Sequence, residues 1–188
     1  QHPSVRGVSF SGGTQEGREV ASIAARQLKK TVLELSGNDP YIILEDADLV
    51  KAAKSCIKGC LKNNGQSQKG ARRFIVQKSV AEEFGALLTE LIGKVRQDDP
   101  MKMTTDLGPM ANRATRESLH RHISETVRHG ATTLCGGEMP TGTGFYYPAT
   151  VLTGATNDSP ACSEELLGPV ASIIPVTDWQ DAIDVAND

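Results

Sequence analysis

The chain has 188 residues, a net charge of −3 at pH 7 and 38% hydrophobic residues, a composition typical of a soluble globular protein. The acidic balance argues against a nucleic-acid partner, because such proteins usually present a basic face. No run of about 18 apolar residues predicts a membrane span, and no charged segment followed by an apolar one predicts export. We therefore expect a cytoplasmic protein with no membrane partner, made of one domain or of one domain and part of another.

Strand and helix signals alternate along the chain. The strand signals are short β-branched or apolar runs, and they fall at 8–10, 31–35, 41–44, 74–76, 132–135, 149–152 and 170–176. Apolar residues three and four apart predict helices over about 16–30, from Asp48 through Cys60, from Ser79 through Val95, from about Asn112 to His129, and after Asp178. Ser79 and Glu82 have the spacing of a capping box at the start of the third helix. This alternation predicts an α/β fold with a mostly parallel sheet flanked by helices.

Cysteine and histidine positions predict no metal site. The four cysteines include no Cys-x-x-Cys pair. His120 and His122 are two apart on a predicted helix, so their side chains diverge and we expect both at the surface. The first residue is Gln1 and the chain ends inside a predicted helix, so we interpret the sequence as part of a longer protein.

A glycine turn joins the first predicted strand to the first predicted helix, in Phe10-Ser11-Gly12-Gly13-Thr14. Backbone amides at the start of a helix attract phosphate, and glycines let a ligand approach closely. Taken alone, such a turn is more often a plain connection, so this motif needs support from the rest of the chain.

Three further motifs supply that support. Leu33-Glu34-Leu35-Ser36-Gly37 lies near a strand end, and Gln68 follows Glu34 by 34 positions in Asn63-Asn64-Gly65-Gln66-Ser67-Gln68. Glu164-Glu165-Leu166-Leu167-Gly168-Pro169-Val170 precedes the last predicted strand. In this order the four motifs resemble the aldehyde dehydrogenase family, most closely its succinate-semialdehyde dehydrogenase branch. The resemblance covers nearly the whole chain.

The resemblance implies a role for each motif. Gly12, Gly13 and Thr14 would line the pyrophosphate of NAD or NADP, Leu35 would contact the cofactor, and Glu34 would be the general base that activates water. The second acidic residue of the last motif, Glu165, would bind the nicotinamide ribose, and Leu167 stands where the family has an aromatic ring on the cofactor. Lys62 stands where part of the branch has an arginine for the substrate carboxylate. A solvated lysine at a helix end is an equally good interpretation.

The resemblance also implies an architecture. Residues 1–34 would be the end of a Rossmann-like NAD(P)-binding domain, and residues 35–188 a catalytic domain truncated at its C-terminal end. The substrate would be succinate semialdehyde or a similar small carboxylated aldehyde, and the full-length protein would form a homodimer or homotetramer.

Gln68 occupies the position of the family's nucleophilic cysteine. A thiolate attacks a carbonyl carbon and later leaves, whereas a primary amide does neither. Glu16, Ser36 and Leu167 are further departures from the family pattern. Two hypotheses follow: an NAD(P)-dependent aldehyde dehydrogenase whose present sequence is inactive, or a non-catalytic relative that binds a partner.

A nearby cysteine does not replace the nucleophile in our interpretation. Cys60 lies eight positions before Gln68 on the apolar face of a helix, where we interpret it as a buried hydrophobic residue.

Overall fold

The computed structural model describes residues 2–188. The chain divides into two compact units, Gln1–Gly37 and Asn38–Asp188. In the first unit, strand β1 (Gly7–Ser11), helix α1 (Thr14–Ala25) and strand β2 (Lys30–Glu34) form a βαβ arrangement with the two strands parallel. That this unit is the end of a cofactor domain remains a prediction.

Helix α1 ends at Ala25, so the prediction that it continues to about residue 30 is wrong. Leu28 has a left-handed φ of 52°, and its amide donates to the carbonyl of Ala25 while the Lys29 amide donates to that of Ala24. This pair of bonds is a Schellman ending, in which glycine is the usual left-handed residue. The sequence signal is missing because a leucine holds that position.

The second unit is built on a five-stranded sheet with the order β3-β4-β7-β6-β5. The strands are β3 (Pro40–Ile43), β4 (Arg73–Gln77), β5 (Thr132–Cys135), β6 (Thr150–Thr153) and β7 (Val170–Val176). Neighbouring strands among β3, β4, β7 and β6 pair in parallel, whereas β5 pairs with β6 in the antiparallel direction. The predicted mostly parallel sheet is therefore confirmed.

The helices of the second unit are α2 (Leu49–Leu61), α3 (Lys78–Ile92), α4 (Arg113–Arg128), α5 (Pro160–Ser163) and α6 (Trp179–Asn187). Asp48, Asn112 and Asp178 cap α2, α4 and α6 with side-chain oxygens that accept backbone amides of the first turn. No helix within residues 2–188 is long and apolar enough to span a membrane.

The predicted capping box of α3 is wrong. Helix α3 starts directly after β4, with Gln77 as its N-terminal flanking residue, and Ser79 is already inside the first turn. The Ser79 hydroxyl instead lies 3.3 Å from the Glu45 carboxylate. The extended residue before the helix is Gln77, so Ser79 lies two positions too far along the chain to be the capping residue that the box needs.

Helices cover both faces of the sheet. Phe74 and Val76 of β4 pack with α2 and α3 on one face, and Ile75 packs toward α6 on the other. The central strands are therefore buried on both sides, as parallel strands usually are. Strands β4 and β7 are parallel neighbours, so the loops that lead into them meet at the same edge of the sheet. Those two loops carry Gln68 and Glu165.

Candidate functional site

Two segments meet at the amino-terminal ends of β4 and β7. We call residues 62–68 the amide loop and residues 164–168 the glutamate segment. The Gly168 amide donates to the Gly65 carbonyl at 3.1 Å. Gly65 has a φ of +67°, and a Cβ at this position would overlap the Gly168 carbonyl group. Glycine is therefore required here for both conformation and space.

Three consecutive left-handed residues, Asn63, Asn64 and Gly65, give the amide loop its shape. Asparagine tolerates this conformation better than most residues because its short polar side chain can bond locally. The Asn64 side chain donates to the Pro109 carbonyl at 2.7 Å, and its oxygen lies 3.3 Å from the Gly108 amide. The loop is thereby tied to the 105–110 stretch as well as to the glutamate segment.

Arg72 lies beneath the amide loop and is only 1% exposed. Its guanidinium Nη2 donates to the carbonyls of Ser67 and Gly65. Burial lowers the pKa of Arg72, and the negative charge of Glu165 opposes that shift. A buried cation therefore supports the loop from below and interacts with the glutamate segment. Arg72 was not predicted as a site residue, because its only signal in the sequence is a charge at the start of an apolar strand.

Gln68 ends the amide loop and is partly buried. Neither thiol of the preceding helix is suited to act as a nucleophile, because Cys56 and Cys60 are buried and burial raises the pKa of each to about 12. At neutral pH such groups are thiols rather than nucleophilic thiolates. The interpretation of Cys60 as a core residue agrees with its 1% exposure.

The glutamate segment is held from outside by Asn38 and His122. The Asn38 side chain donates to three backbone carbonyls, those of Ala161, Cys162 and Glu164. His122 Nε2 lies 3.0 Å from the Glu164 carboxylate. The backbone on either side of Glu165 is therefore held in place, by these contacts before it and by the bond from Gly168 to Gly65 after it.

The predicted surface location of the two histidines is wrong for His122, which is buried. His120 is half-buried, with Nδ1 3.0 Å from the Tyr147 hydroxyl. The two side chains do diverge, as their spacing predicts, but one faces the glutamate segment and the other a tyrosine. Both neighbours come from distant parts of the chain and leave no local signal.

Glu165 and Leu167 line one cleft of about 280 Å³ between the glutamate segment and α4. Thr115, Ser118 and His122 form its other wall. These residues are three, four and seven apart, so they share one face of α4. These three residues were not predicted as site residues, although their spacing in the sequence indicates a polar face of α4. The cleft combines hydroxyls, a carboxylate and an apolar side chain, a set that suits the hydroxyls and flat ring of a nucleoside.

The remaining predicted cofactor residues lie together in the first unit. Gly13 flanks the start of α1 and Thr14 is its first residue, while the Gly12 amide donates to the Glu34 carbonyl at 3.1 Å. Leu35 packs against Gly17, whose missing side chain leaves room for it. This unit thus gathers Gly12, Gly13, Thr14, Glu34 and Leu35.

The Glu16 carboxylate lies against Gly13, where a Cβ would overlap its Oε2. A carboxylate in the first turn satisfies the positive end of the helix dipole. The same position at a helix start is the one that attracts phosphate. The acidic side chain therefore competes for the place of an anionic ligand.

Lys62 is exposed and flanks the C-terminal end of α2, where the backbone leaves the helix. It joins the helix directly to the left-handed turn of the amide loop. No ion pair to Lys62 is found within residues 2–188.

Comparisons with known proteins cover the whole chain. The profile described as "Aldehyde dehydrogenase family" matches residues 1–188. A probable NADP(+) succinate-semialdehyde dehydrogenase of Synechocystis sp. is 43% identical over 180 residues, which are 96% of this chain and 40% of that protein. The succinate semialdehyde dehydrogenase [NAD(P)+] Sad of Escherichia coli K12 is 39% identical over 98% of this chain. The chain spans about 40% of the length of the curated relatives it matches.

Solved structures give the same result. A mutant of aldehyde dehydrogenase C of Pseudomonas syringae, in complex with NAD+ and octanal, is 32% identical with a TM-score of 0.94. It is matched over 99% of this chain and 39% of its own. A lactaldehyde dehydrogenase structure is 33% identical with a TM-score of 0.95.

Proposed function

Because the chain belongs to the aldehyde dehydrogenase family, we propose that its site is that of an enzyme that uses NAD or NADP to oxidise a small carboxylated aldehyde to the acid. The proposed substrate is succinate semialdehyde or a close analogue. The names of the relatives support this substrate and an NAD or NADP cofactor. We also propose that the chain as written does not carry out this oxidation, because Gln68 cannot form the covalent intermediate.

The cofactor would be held in two places. Gly12, Gly13, Thr14 and Leu35 in the first unit would hold its pyrophosphate part, and Glu165 and Leu167 its nicotinamide ribose. The cleft in front of Glu165 supports the second assignment, since it offers a carboxylate for ribose hydroxyls and an apolar wall. The bound cofactor supplies a hydride acceptor.

The chain's own residues would orient the substrate rather than react with it. Gln68 has an amide that donates hydrogen bonds, so it would bind the aldehyde oxygen or a carboxylate without attacking carbon. Lys62 would attract the substrate carboxylate as a point charge, without the two-point geometry of arginine. Glu34 would be the general base for a water molecule in a protein that has the cysteine. We assign residues 1–34 to the cofactor domain and 35–188 to the catalytic domain, and a homodimer or homotetramer to the full-length protein.

A non-catalytic relative is the second candidate. It is favoured by the number of departures, because an isolated loss of activity would change Gln68 alone. Ser36, Glu16 and Leu167 depart as well, and the Glu16 carboxylate lies where an anionic ligand would approach. In this alternative the protein keeps the fold as a binding or structural subunit.

The observation that supports the first proposal is that the backbone of the amide loop around Gln68 is held by a full set of contacts. Gly65, Asn64 and Arg72 hold the amide loop with all the bonds described above, so a cysteine at position 68 would enter a formed site. The test is Gln68→Cys in the protein extended to the length of its relatives, followed by aldehyde-dependent NAD(P)H absorbance with succinate semialdehyde.

We expect turnover from Gln68→Cys, and none from the unaltered residue or from the matched variant Gln68→Ser. Turnover with Gln68 in place would overturn the proposed inactivity. Cofactor binding by calorimetry without turnover in Gln68→Cys would favour the non-catalytic candidate. Absence of both cofactor binding and turnover would reject the proposed enzymatic origin of the site.

A further inference from the structure

Positive charge is concentrated in one stretch of an otherwise acidic chain. Residues 49–73 contain seven lysines and arginines and no aspartate or glutamate, although the whole chain has a net charge of −3. This stretch comprises α2 and the segment that leads into β4, including the amide loop. A local excess of this kind marks a surface whose field differs from that of the whole protein.

Four of these residues define what we call the lysine face of α2: Lys51, Lys54, Lys58 and Lys62. All four are exposed, and within residues 2–188 none forms an ion pair. Their spacings of three, four and four place them on one side of the helix. The other side contains Ala53, Cys56 and Cys60 and is buried. A groove of about 420 Å³ runs past Lys51, Lys54 and Lys58, and the helix-capping residue Asp48 also lines it.

Helix stability does not account for this arrangement. Lysines four apart repel each other, and Lys54 and Lys58 are such a pair on α2. The helix dipole favours cations in the last turn, which explains Lys58 and Lys62. It disfavours Lys51, which lies in the first turn of the same helix. A merely solvated face would more commonly mix both signs of charge.

The lysine face leads to the candidate site. Helix α2 ends at Leu61, and Lys62 joins it to the amide loop without a spacer. At 1.5 Å per residue, the face extends for about 16 Å from Lys51 to Lys62. Lys62 is therefore both the last residue of the lysine face and the first residue of the amide loop, which ends at Gln68.

We propose that the lysine face is a guide surface for small carboxylate substrates, which it attracts from solution and passes along α2 to Lys62. Lys54 and Lys58 are then specificity residues that favour negatively charged ligands over neutral ones. This proposal rests on the proposed function, since it assigns the substrate entrance of that site. Charge complementarity and continuity with the amide loop select a small anion over an acidic macromolecule as the ligand.

The experiment is an NMR titration of the 188-residue chain with butyrate, succinate, tricarballylate and neutral succinamide. Backbone amides of the amide loop report binding at low ionic strength, about 0.02 M, and at about 0.5 M, where exposed charges are screened. The test variant is Lys54→Gln with Lys58→Gln. The matched control is Lys30→Gln with Lys78→Gln, which removes the same charge from two exposed lysines outside α2 that form no ion pair within residues 2–188.

We expect affinity to rise from succinamide to butyrate to succinate. The α2 double variant should weaken succinate binding about fivefold at low ionic strength and less than twofold at high ionic strength. The control variant should change it by less than about 1.5-fold under both conditions. Circular dichroism confirms that both variants are folded.

Equal effects of the two double variants, or affinity independent of ligand charge, would overturn the proposal. Binding of poly-glutamate or heparin without binding of succinate would instead assign the lysine face to an acidic macromolecule and also reject it. Failure of this proposal can be distinguished from failure of the proposed function. Cofactor binding and turnover by Gln68→Cys are measured in a protein in which Lys54 and Lys58 are unaltered.

Discussion

The amide loop and the glutamate segment differ in how their backbones are held in place. Both lead into neighbouring parallel strands and are joined by the bond from Gly168 to Gly65. The amide loop takes its shape from left-handed backbone and from the buried Arg72, whereas Asn38 and His122 hold the glutamate segment. In the proposed function, Gln68 stands at a reactive position of the first and Glu165 binds the cofactor in the second. The contacts that shape the two segments are therefore separate from the side chains proposed for the chemistry.

The largest expected effect comes from Gly65→Ala, which tests whether the two segments depend on each other. The new Cβ would meet the Gly168 carbonyl group, and alanine would have to adopt a φ of +67°. Steric overlap and left-handed strain together should lower the free energy of unfolding by about 3 kcal/mol. Urea denaturation of the variant measures this change.

Gly154→Ala is the matched control, because Gly154 has a φ of +72° and nothing within 4 Å of the added Cβ. It should lose only the conformational part, about 1 kcal/mol. If both variants lost the same stability, the close approach of Gly65 to Gly168 would not matter and the two segments would be independent.

An intermediate effect is expected from Arg72→Met. Methionine preserves much of the volume but leaves the Gly65 and Ser67 carbonyls without the guanidinium donor. Because these carbonyls lose their donor and Glu165 loses a nearby positive charge, the free energy of unfolding should fall by about 2 kcal/mol. Local opening should become easier, with amide hydrogen exchange in the amide loop about tenfold faster, equivalent to about 1.4 kcal/mol.

Exchange in α3 should be unchanged in Arg72→Met and serves as the internal reference. Arg128→Met removes an exposed arginine that lies 3.8 Å from Glu125 and should leave exchange in the amide loop unaltered. Unchanged exchange in Arg72→Met would contradict the role of Arg72 as the support of the loop.

The smallest effect concerns the buried side of the helix that leads to the amide loop. Burial raises the pKa of Cys60 from an ordinary value of 9.0 to about 12. Between these values the thiol loses its proton in the unfolded chain but keeps it in the folded one. The contribution of this thiol to the free energy of unfolding is therefore fully present below pH 9 and falls as the pH rises above 9. At pH 10 the loss should be about 1 kcal/mol.

Urea denaturation under reducing conditions at pH 8 and pH 10 measures the difference, and Cys60→Ala should remove the part due to this thiol. A variant with the same pH dependence as the original chain would show that Cys60 ionises normally when folded. Cys60 would then be available as a nucleophile near the amide loop, contrary to its interpretation as a buried hydrophobic residue.

Local patterns predicted the elements of the fold well. All seven strand signals match strands to within one residue at each end, because β-branched runs and their boundaries are properties of neighbouring residues. The endings of α1 and the start of α3 were wrong, since an unusual left-handed leucine and a direct strand-to-helix junction decide them. The order of the strands had no local signal.

The candidate site was predictable only in part. The motifs indicated Glu34, Gln68 and Glu165, whose roles remain predictions. The buried Arg72 and the α4 face with Thr115 were missed, because their importance arises from contacts between residues far apart in the chain. Burial of a charged residue and closure of a cleft are tertiary properties.

The arrangement of the sheet has a consequence for the chain in concentrated solution. Within residues 2–188, β3 and β5 each pair with a single strand, so both outer edges retain unused amides and carbonyls. The β5 edge is interrupted by a register shift between Thr133 and Cys135. The β3 edge exposes Tyr41 and Ile42, and Pro40 removes only one donor. Intermolecular strand addition, the first step of ordered aggregation, is therefore best templated at β3.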